Sequence, residues 1–262
     1  MKIIDQIGHQ LNFKTTPKRI VSVVPSQTEL LYDLGLDNEV VGITKFCIHP
    51  KEWFKSKSRV GGTKNLNFDK IAALQPDLII ANKEENTQAE IEALQEIYPV
   101  FTSDITNLSE SLEMIKLVGE VVGKTQESTQ LIAKIENGFK QLAEIPKPDK
   151  KTVLYLIWQN PFMSIGSDTF IDDMLNRCGL INVLKAENRY PQIDDQQIKD
   201  LNPDVIFLSS EPFPFKEKHI KNIQELVPNS KVILVDGEYY SWYGSRLIHS
   251  SQYFIDLLSN LH

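Results

Sequence analysis

The sequence predicts an α/β protein built from two similar lobes joined by one long helix. Three observations predict it. Short β-branched runs alternate with helical stretches along the whole chain, the pattern of parallel or mixed sheets covered on both faces. The segment from Asp69 to Ile80 resembles the one from Gln196 to Phe207, with Leu74-x-Pro76-Asp77 set against Leu201-x-Pro203-Asp204 at an offset of 127 positions, close to half of the 262 residues. Between the two copies, Leu131, Ile135, Phe139, Leu142 and Ile145 recur at spacings of three and four and draw one apolar stripe along a helix.

The elements follow in order. Arg19 to Val24 reads as a buried strand ended by Pro25. Ser26-Gln-Thr-Glu29 reads as a capping box, followed by a helix carrying Leu30, Leu31 and Leu34 up to Gly35. Strands are expected at Val40 to Thr44, Leu78 to Ala81 and Val100 to Thr102, and helices at Asp69 to Leu74, Thr87 to Ile97 and Ser109 to Val122. The helix from Thr125 to about Ile145 is a rod of roughly 30 Å at 1.5 Å per residue. Pro146-Lys-Pro148 then breaks the chain. These features divide it into a first lobe over 1–124, a linking helix over 125–147 and a second lobe over 148–262. In the second lobe, strands are expected at Thr152 to Trp158, Val205 to Leu208 and Val232 to Val235. Helices are expected at Thr169 to Cys178, Ile220 to Leu226 and Ser245 to Leu258.

Composition narrows the function classes. The net charge of -7, from 28 basic and 35 acidic residues, gives no footprint for nucleic acid. No apolar run reaches the ~18 residues that span a bilayer. Met1 to Thr16 has neither an apolar core nor a small-residue cleavage site, which leaves either a cytoplasmic protein with Met1 as its native start or a chain whose signal has been removed. Cys47 and Cys178 are too few and too far apart for a disulfide framework or a zinc-binding CxxC. No GxGxxG after a strand, P-loop, HExxH or GxSxG occurs, and Gly61-Gly62-Thr63-Lys64 reads as a turn. An enzyme is therefore not expected.

The residues that can carry chemistry lie after predicted strands, where open α/β sheets bind ligands. Cys47-x-His49 follows the strand at Val40 to Thr44, and an extended chain would put both side chains on one face. They suit a soft or borderline metal, or an axial position on a tetrapyrrole metal; a buried Cys beside a loop His is the plainer alternative. The other histidines are His9, His219, His249 and His262, too few for a multi-histidine cage. Phe46, Trp158, Tyr190, Tyr239 and Trp242 also follow strands. The loop from Glu238 to Arg246 holds four aromatics, so it reads as a flat binding wall or as a small core pinning a long loop. Arg246 suits a ligand carboxylate or phosphate, or an acid on the protein itself. Asp69 and Asp195 lie at helix starts, where the dipole favours acids.

Pro17 to Ser26 with Thr28-Glu29-Leu30, then Gly35-Leu36, Val40-Val-Gly42 and Asn67 to Leu78, together with the Arg246 helix, resemble the substrate-binding proteins of ABC importers for vitamin B12, siderophore-bound iron and haem. The resemblance runs over nearly the whole chain and is strongest to the B12-binding branch. It implies the class III architecture of periplasmic binding proteins, with a ligand cleft between two lobes that a single helix joins. It further implies a monomer that is periplasmic or on the cell surface, with no obligatory cofactor. Its ligand would be cobalamin, haem or a ferric siderophore, and its partner a membrane permease. The residues it implies for the ligand are Tyr190 and Tyr239, beside Phe46, Cys47, His49, Trp158, Trp242 and Arg246 read from the chain itself. The acids it implies for the permease fall on Asp69 and on Gln196, where the neighbouring Asp195 would substitute. A tryptophan of the B12 receptors is replaced by Thr63. The rival reading is an intracellular tetrapyrrole or metal carrier with Cys47 and His49 as ligands.

Overall fold

The computed structural model describes residues 1–261, so His262 lies outside the described residues. The chain forms two compact units. The first comprises Met1–Ile105, Ser109–Lys134 and Tyr243–Arg246; the second comprises Thr106–Leu108, Ile135–Trp242 and the chain from Leu247 onward.

The first unit opens with a hairpin of β1 (Lys2–Ile4) and β2 (Gln10–Asn12), which the sequence reading missed. Asp5 in its turn accepts the N–H groups of His9 (2.7 Å) and of Thr102 (3.0 Å), tying the hairpin to the rest of the unit. Then come β3 (Ile20–Ser22), α1 (Pro25–Asp33), β4 (Val40–Ile43), α2 (Lys51–Ser56), β5 (Ser58–Arg59), β6 (Gly61–Gly62), β7 (Asn65–Leu66), α3 (Phe68–Leu74), β8 (Leu78–Asn82), α4 (Gln88–Gln95) and β9 (Val100–Ser103). The sheet order is β5-β4-β3-β8-β9, all parallel. Parallel strands need helical crossovers that cover both faces, and β8 is accordingly buried at all five positions. Val21, Val23, Ile71, Ile79 and Leu94 pack in one core cluster.

Two expectations fail here. The capping box does not form: α1 begins at Pro25, its N-cap is Val24, and no side chain caps it. Proline at the first helical position has its φ already set and lacks the N–H that would go unsatisfied, so the helix starts two residues earlier than the Ser-x-x-Glu pattern suggests. Ser26 is left inside the first turn. The segment after β4 is also not extended. Cys47 N–H donates to Thr44 O and Ile48 N–H to Phe46 O, so the chain turns. Cys47 is fully buried while His49 is only half-buried, and the two do not share a face.

Helices α5 (Leu108–Val121) and α6 (Thr125–Glu144) follow, both within one or two residues of the expected limits. The chain leaves the first unit within α6, after Lys134.

The second unit contains β10 (Thr152–Trp158), β11 (Phe162–Ser164), α7 (Phe170–Arg177), β12 (Ile181–Asn182), β13 (Gln192–Ile193), α8 (Asp195–Leu201), β14 (Val205–Ser209), α9 (Glu217–Leu226), β15 (Lys231–Val235), α10 (Gly237–Ser241) and α11 (Leu247–Ser259). Strands β10, β14 and β15 run parallel in adjacent positions, as β3, β8 and β9 do; the antiparallel β11 and β13 extend the sheet beyond β10, and β12 also pairs with β10. Leu154, Leu156, Ile198, Ile206 and Ile223 pack in its core cluster.

The sequence repeat is a structural repeat. Asn67 caps α3 by accepting from Lys70 N–H, and 127 positions on Asp194 caps α8 by accepting from Gln197 N–H. Both seven-residue helices end in a left-handed residue, Gln75 (φ 46°) and Asn202 (φ 38°). Asp77 then accepts Lys18 and Arg19 N–H groups, as Asp204 accepts Thr152 N–H, pinning the start of the first parallel strand of each unit, β3 and β10. Such agreement of cap, turn and clamp extends well beyond the Pro-Asp dipeptide.

A third expectation fails at Glu238 to Arg246. Tyr239 and Tyr240 lie on α10 rather than in a loop. Tyr240 is fully buried against Tyr155 and Phe254, with ring centroids at 5.1 and 4.6 Å. The apolar rings drive this stretch into the core of the second unit, so a small core describes most of it better than a binding wall does.

Candidate functional site

Most of the candidate ligand residues lie at the carboxyl ends of the strands or on the segments that follow them, Trp158 within β10 and Tyr239 on α10. In the first unit, Phe46 after β4 is 51% exposed, with the Lys45 ammonium 5.0 Å from its ring centre. Its ring lies against Gly62, where an added Cβ would meet Phe46 Cε2 at 3.2 Å; the bare backbone makes room for the ring. Cys47 turns inward, with its sulfur 3.1 Å from the Thr28 hydroxyl and 3.2 Å from that of Thr44.

Burial pushes the Cys47 thiol up to about 11, so it is held protonated at neutral pH. Metals and electrophiles take the thiolate. Among the described residues, no three His, Cys, Asp or Glu side chains are grouped to hold a metal. Cys178 is likewise buried and pushed up to about 12. Both thiols have folded values above the ordinary value of about 8.5. Their contribution to stability is therefore fully present below about pH 8.5 and is lost as pH rises towards 11 and 12. We expect thermal scans to show a midpoint falling from pH 8.5 to pH 11, and Cys47→Ser with Cys178→Ser to flatten that fall. At pH 8 neither thiol should react with a disulfide reagent until the protein is unfolded; fast native labelling of Cys47 would contradict its placement.

Arg246 does not lie on a flexible edge. Its Nε and Nη2 donate to the two carboxylate oxygens of Glu29 at 2.9 and 2.6 Å. The side chains are 13% and 17% exposed. Of the two roles read from the sequence, the observed partner is an acid of the protein, and that acid is largely buried rather than on the surface. Tyr243 nearby donates its hydroxyl to Glu85 Oε1 at 3.0 Å. Gly244 abuts α1, where an added Cβ would come 3.0 Å from Ser26 O. The four residues Tyr243–Arg246 thus dock on α1 and on the β8–α4 loop of the first unit.

In the second unit Trp158 ends β10 and is 39% exposed. Its ring meets Phe213 edge-on at 5.7 Å, and Phe213 is packed in turn on Phe215 and His219. A broad apolar surface is thereby held in place at the strand end. Tyr190 is half-buried, with the Arg189 guanidinium 5.6 Å from its ring centre. Tyr239 is half-buried and stacks on Tyr253 at 4.5 Å. Trp242 is buried, and its Nε1 donates to Glu211 Oε1 at 3.0 Å. Burial pushes the Glu211 carboxyl up, aided by the charges of Glu238 and Asp236 and opposed by hydrogen bonds from Ser241 and Trp242. Glu211 was missed in the sequence, where it sits in a Pro-rich loop with no local pattern to mark it.

Asp69 lies in the first turn of α3 and Asp195 in that of α8, both exposed. The structural counterpart of Asp69 is Gln196, whose Nε2 donates to Asp200 Oδ1 at 2.8 Å. No helix among the described residues is long and apolar enough to cross a membrane.

Comparison with known proteins agrees with this architecture. The model of the periplasmic binding protein family matches residues 20–232. An uncharacterized ABC transporter substrate-binding lipoprotein of Bacillus subtilis, YvrC, is 33% identical over 214 residues, covering 78% of this chain and 67% of that protein. The vitamin B12-binding protein of Vibrio campbellii is 25% identical over 195 residues, covering 73% and 70%. Among solved structures, the periplasmic vitamin B12-binding protein BtuF of Vibrio cholerae superposes with a TM-score of 0.79 at 21% identity over 94% of this chain and 98% of its own. The periplasmic heme-binding protein RhuT of Roseiflexus sp. RS-1 reaches 0.80 at 21% identity, covering 94% and 99%. At such identities the structural likeness speaks for the fold.

Proposed function

The chain belongs to the periplasmic binding protein family, and on that premise we propose that it is the substrate-binding subunit of an ABC importer, capturing a metal chelate outside the cytoplasmic membrane. The relationship to the Bacillus subtilis substrate-binding lipoprotein carries this reading. Relatives named for vitamin B12 and structural neighbours named for heme support a bulky, planar or metal-bearing ligand.

The chemistry is capture without turnover. A chelate offers wide apolar faces, and rings held rigid at strand ends bury that area at little entropic cost. Phe46 in the first unit and Trp158, Tyr190 and Tyr239 in the second are the rings placed at such ends with accessible surface. Asp69 and Asp195, exposed on matching short helices, are the points we assign to the permease. The buried, protonated Cys47 speaks against a thiolate-ligated carrier.

Titration with cobalamin, cobinamide, haem and a ferric siderophore tests the proposal. One of them is expected to quench tryptophan fluorescence with micromolar affinity or better, about -8 kcal/mol. Flat titrations with all four would overturn it.

A further inference from the structure

We infer that Asn86, acting with Asn82, is the positioning residue of the first unit's binding loops, an inference that rests on the capture function proposed above. Asn86 is 3% exposed and Asn82 is 1% exposed. The Asn86 amide nitrogen donates to Val23 O at 3.2 Å, on the β3–α1 connection, and to Thr63 O at 3.0 Å, at the tip of the β6–β7 hairpin. Its amide oxygen accepts the N–H of Asn82 at 2.9 Å, where β8 ends. One side chain thus ties two other loops and the end of β8 together through their backbones, using both of its N–H donors and one acceptor position of its oxygen.

Asn82 extends the same network. Its oxygen accepts the N–H groups of Glu84 (2.9 Å) and Glu85 (3.0 Å), which shapes the loop that presents Glu85 to Tyr243. Its nitrogen donates to Ser103 O at 3.2 Å and to Ser103 Oγ at 3.0 Å, where β9 ends. Ser103 Oγ also takes a hydrogen bond from Gln27 of α1 and donates to Ala81 O. Apart from Gln27 in the first turn of α1, every polar group fixed by this network lies at the carboxyl end of a strand or on the loop after it. A buried network of this kind has two effects: its loss leaves carbonyls and N–H groups unsatisfied, and its presence fixes the relative places of four loops. The second effect is what a receptor needs, because a loop already in place does not have to be ordered by the ligand.

The Asn86 side chain takes no part in the apolar core cluster, and its one bond to the sheet is to the last residue of β8. Nor does another side chain take its place, since aspartate would turn an acceptor towards Val23 O and Thr63 O, and glutamine is one methylene too long for a closed site. Thr63 enters this network through its backbone, so the loop where B12 receptors were expected to carry a tryptophan is here secured from beneath by Asn86.

The test compares Asn86→Ala with a matched control, Asn182→Ala. Asn182 is also buried, donates to Ile165 O and Asp172 Oδ1, and accepts Leu184 N–H, but it lies beside the start of β10, away from the strand carboxyl ends. Both variants should lose thermal stability to a similar degree. Only Asn86→Ala should weaken binding of whichever of cobalamin, cobinamide, haem or ferric siderophore the unaltered protein takes up, by about tenfold or more. Amide hydrogen exchange at residues 62–64 and 84–86 should quicken in Asn86→Ala and not in Asn182→Ala. Equal affinity in Asn86→Ala and the unaltered protein, or equal losses in both variants, would overturn the positioning role while leaving the capture function standing. Failure of the unaltered protein to bind any of the four would overturn the capture function, and this inference with it.

Discussion

Trp158→Ala raises the dissociation constant for the captured chelate about thirtyfold or more, the effect of removing an aromatic hot spot of roughly 2 kcal/mol. The expectation follows from the ring's situation. Trp158 is 39% exposed, so truncation also removes buried ring area packed on Phe213 and should cost roughly 2 kcal/mol of stability, and affinity is therefore read well below the thermal midpoint of the variant. Its edge-on contact with Phe213 at 5.7 Å holds the ring in one orientation, so its open surface reaches a ligand already ordered. Trp53, by contrast, is 2% exposed, with its Nε1 bonded to Asp37. Ligand-induced quenching at saturating ligand should therefore fall in Trp158→Ala to the part contributed by Trp53 and Trp242. Unchanged affinity and unchanged quenching would remove Trp158 from the site. Trp158→Phe, which keeps a smaller ring at the strand end, should recover part of the affinity.

Glu29→Ala lowers global stability by about 3 kcal/mol, because a largely buried, bidentate pair loses one partner while the other charge stays where it is. For a chain of this size that is roughly 6–12 °C in thermal midpoint. Bidentate geometry at 2.6 and 2.9 Å and exposures of 13% and 17% set this pair apart from the surface bridges of the same protein. Lys18 with Glu39, at 3.5 Å and 69% and 32% exposed, should contribute less than about 1 kcal/mol. Arg246→Lys, with Glu29 kept, should lose part of the same stability, since a lysine cannot offer two parallel donors. A double-mutant cycle over Glu29 and Arg246 that returns a coupling near zero would show that the pair is incidental. The same replacement should also loosen Tyr243–Arg246 from α1, readable as faster exchange of those amides.

Some of the site was legible in the chain and some was not, and the division follows the range of the forces involved. Phe46, Trp158 and Tyr239 could be picked out as candidates because they lie at or just after the ends of predictable strands, and strand ends are where α/β sheets bind. Glu29 was misread because Ser26-x-x-Glu29 is a sound local pattern for a cap. The actual partner lies 217 residues away and leaves no trace near Glu29. Asn86 follows a predictable strand, but nothing in Glu84-Glu85-Asn86 tells a solvated amide from one bonded to three backbone segments. Tyr240 was placed in a loop because Gly237–Ser241 is too short for a helical period to be visible.

What the amino-acid sequence determined by itself was whatever repeats over a few residues or recurs as a copy. Strand β10 falls at Thr152–Trp158 and α6 at Thr125–Glu144, because β-branched runs and a three-four apolar stripe are local statements. The likeness of α3–β8 to α8–β14 was readable because capping, left-handed termination and the Pro-Asp turn are each encoded within a dozen residues. Only the tertiary structure decided the Glu29–Arg246 pair, the Asn82–Asn86 network, the N-terminal hairpin and the inward turn of Cys47. Each depends on hydrogen bonds or burial between groups far apart in the chain, and a polar side chain looks the same in sequence whether it meets water or a carbonyl 63 residues away.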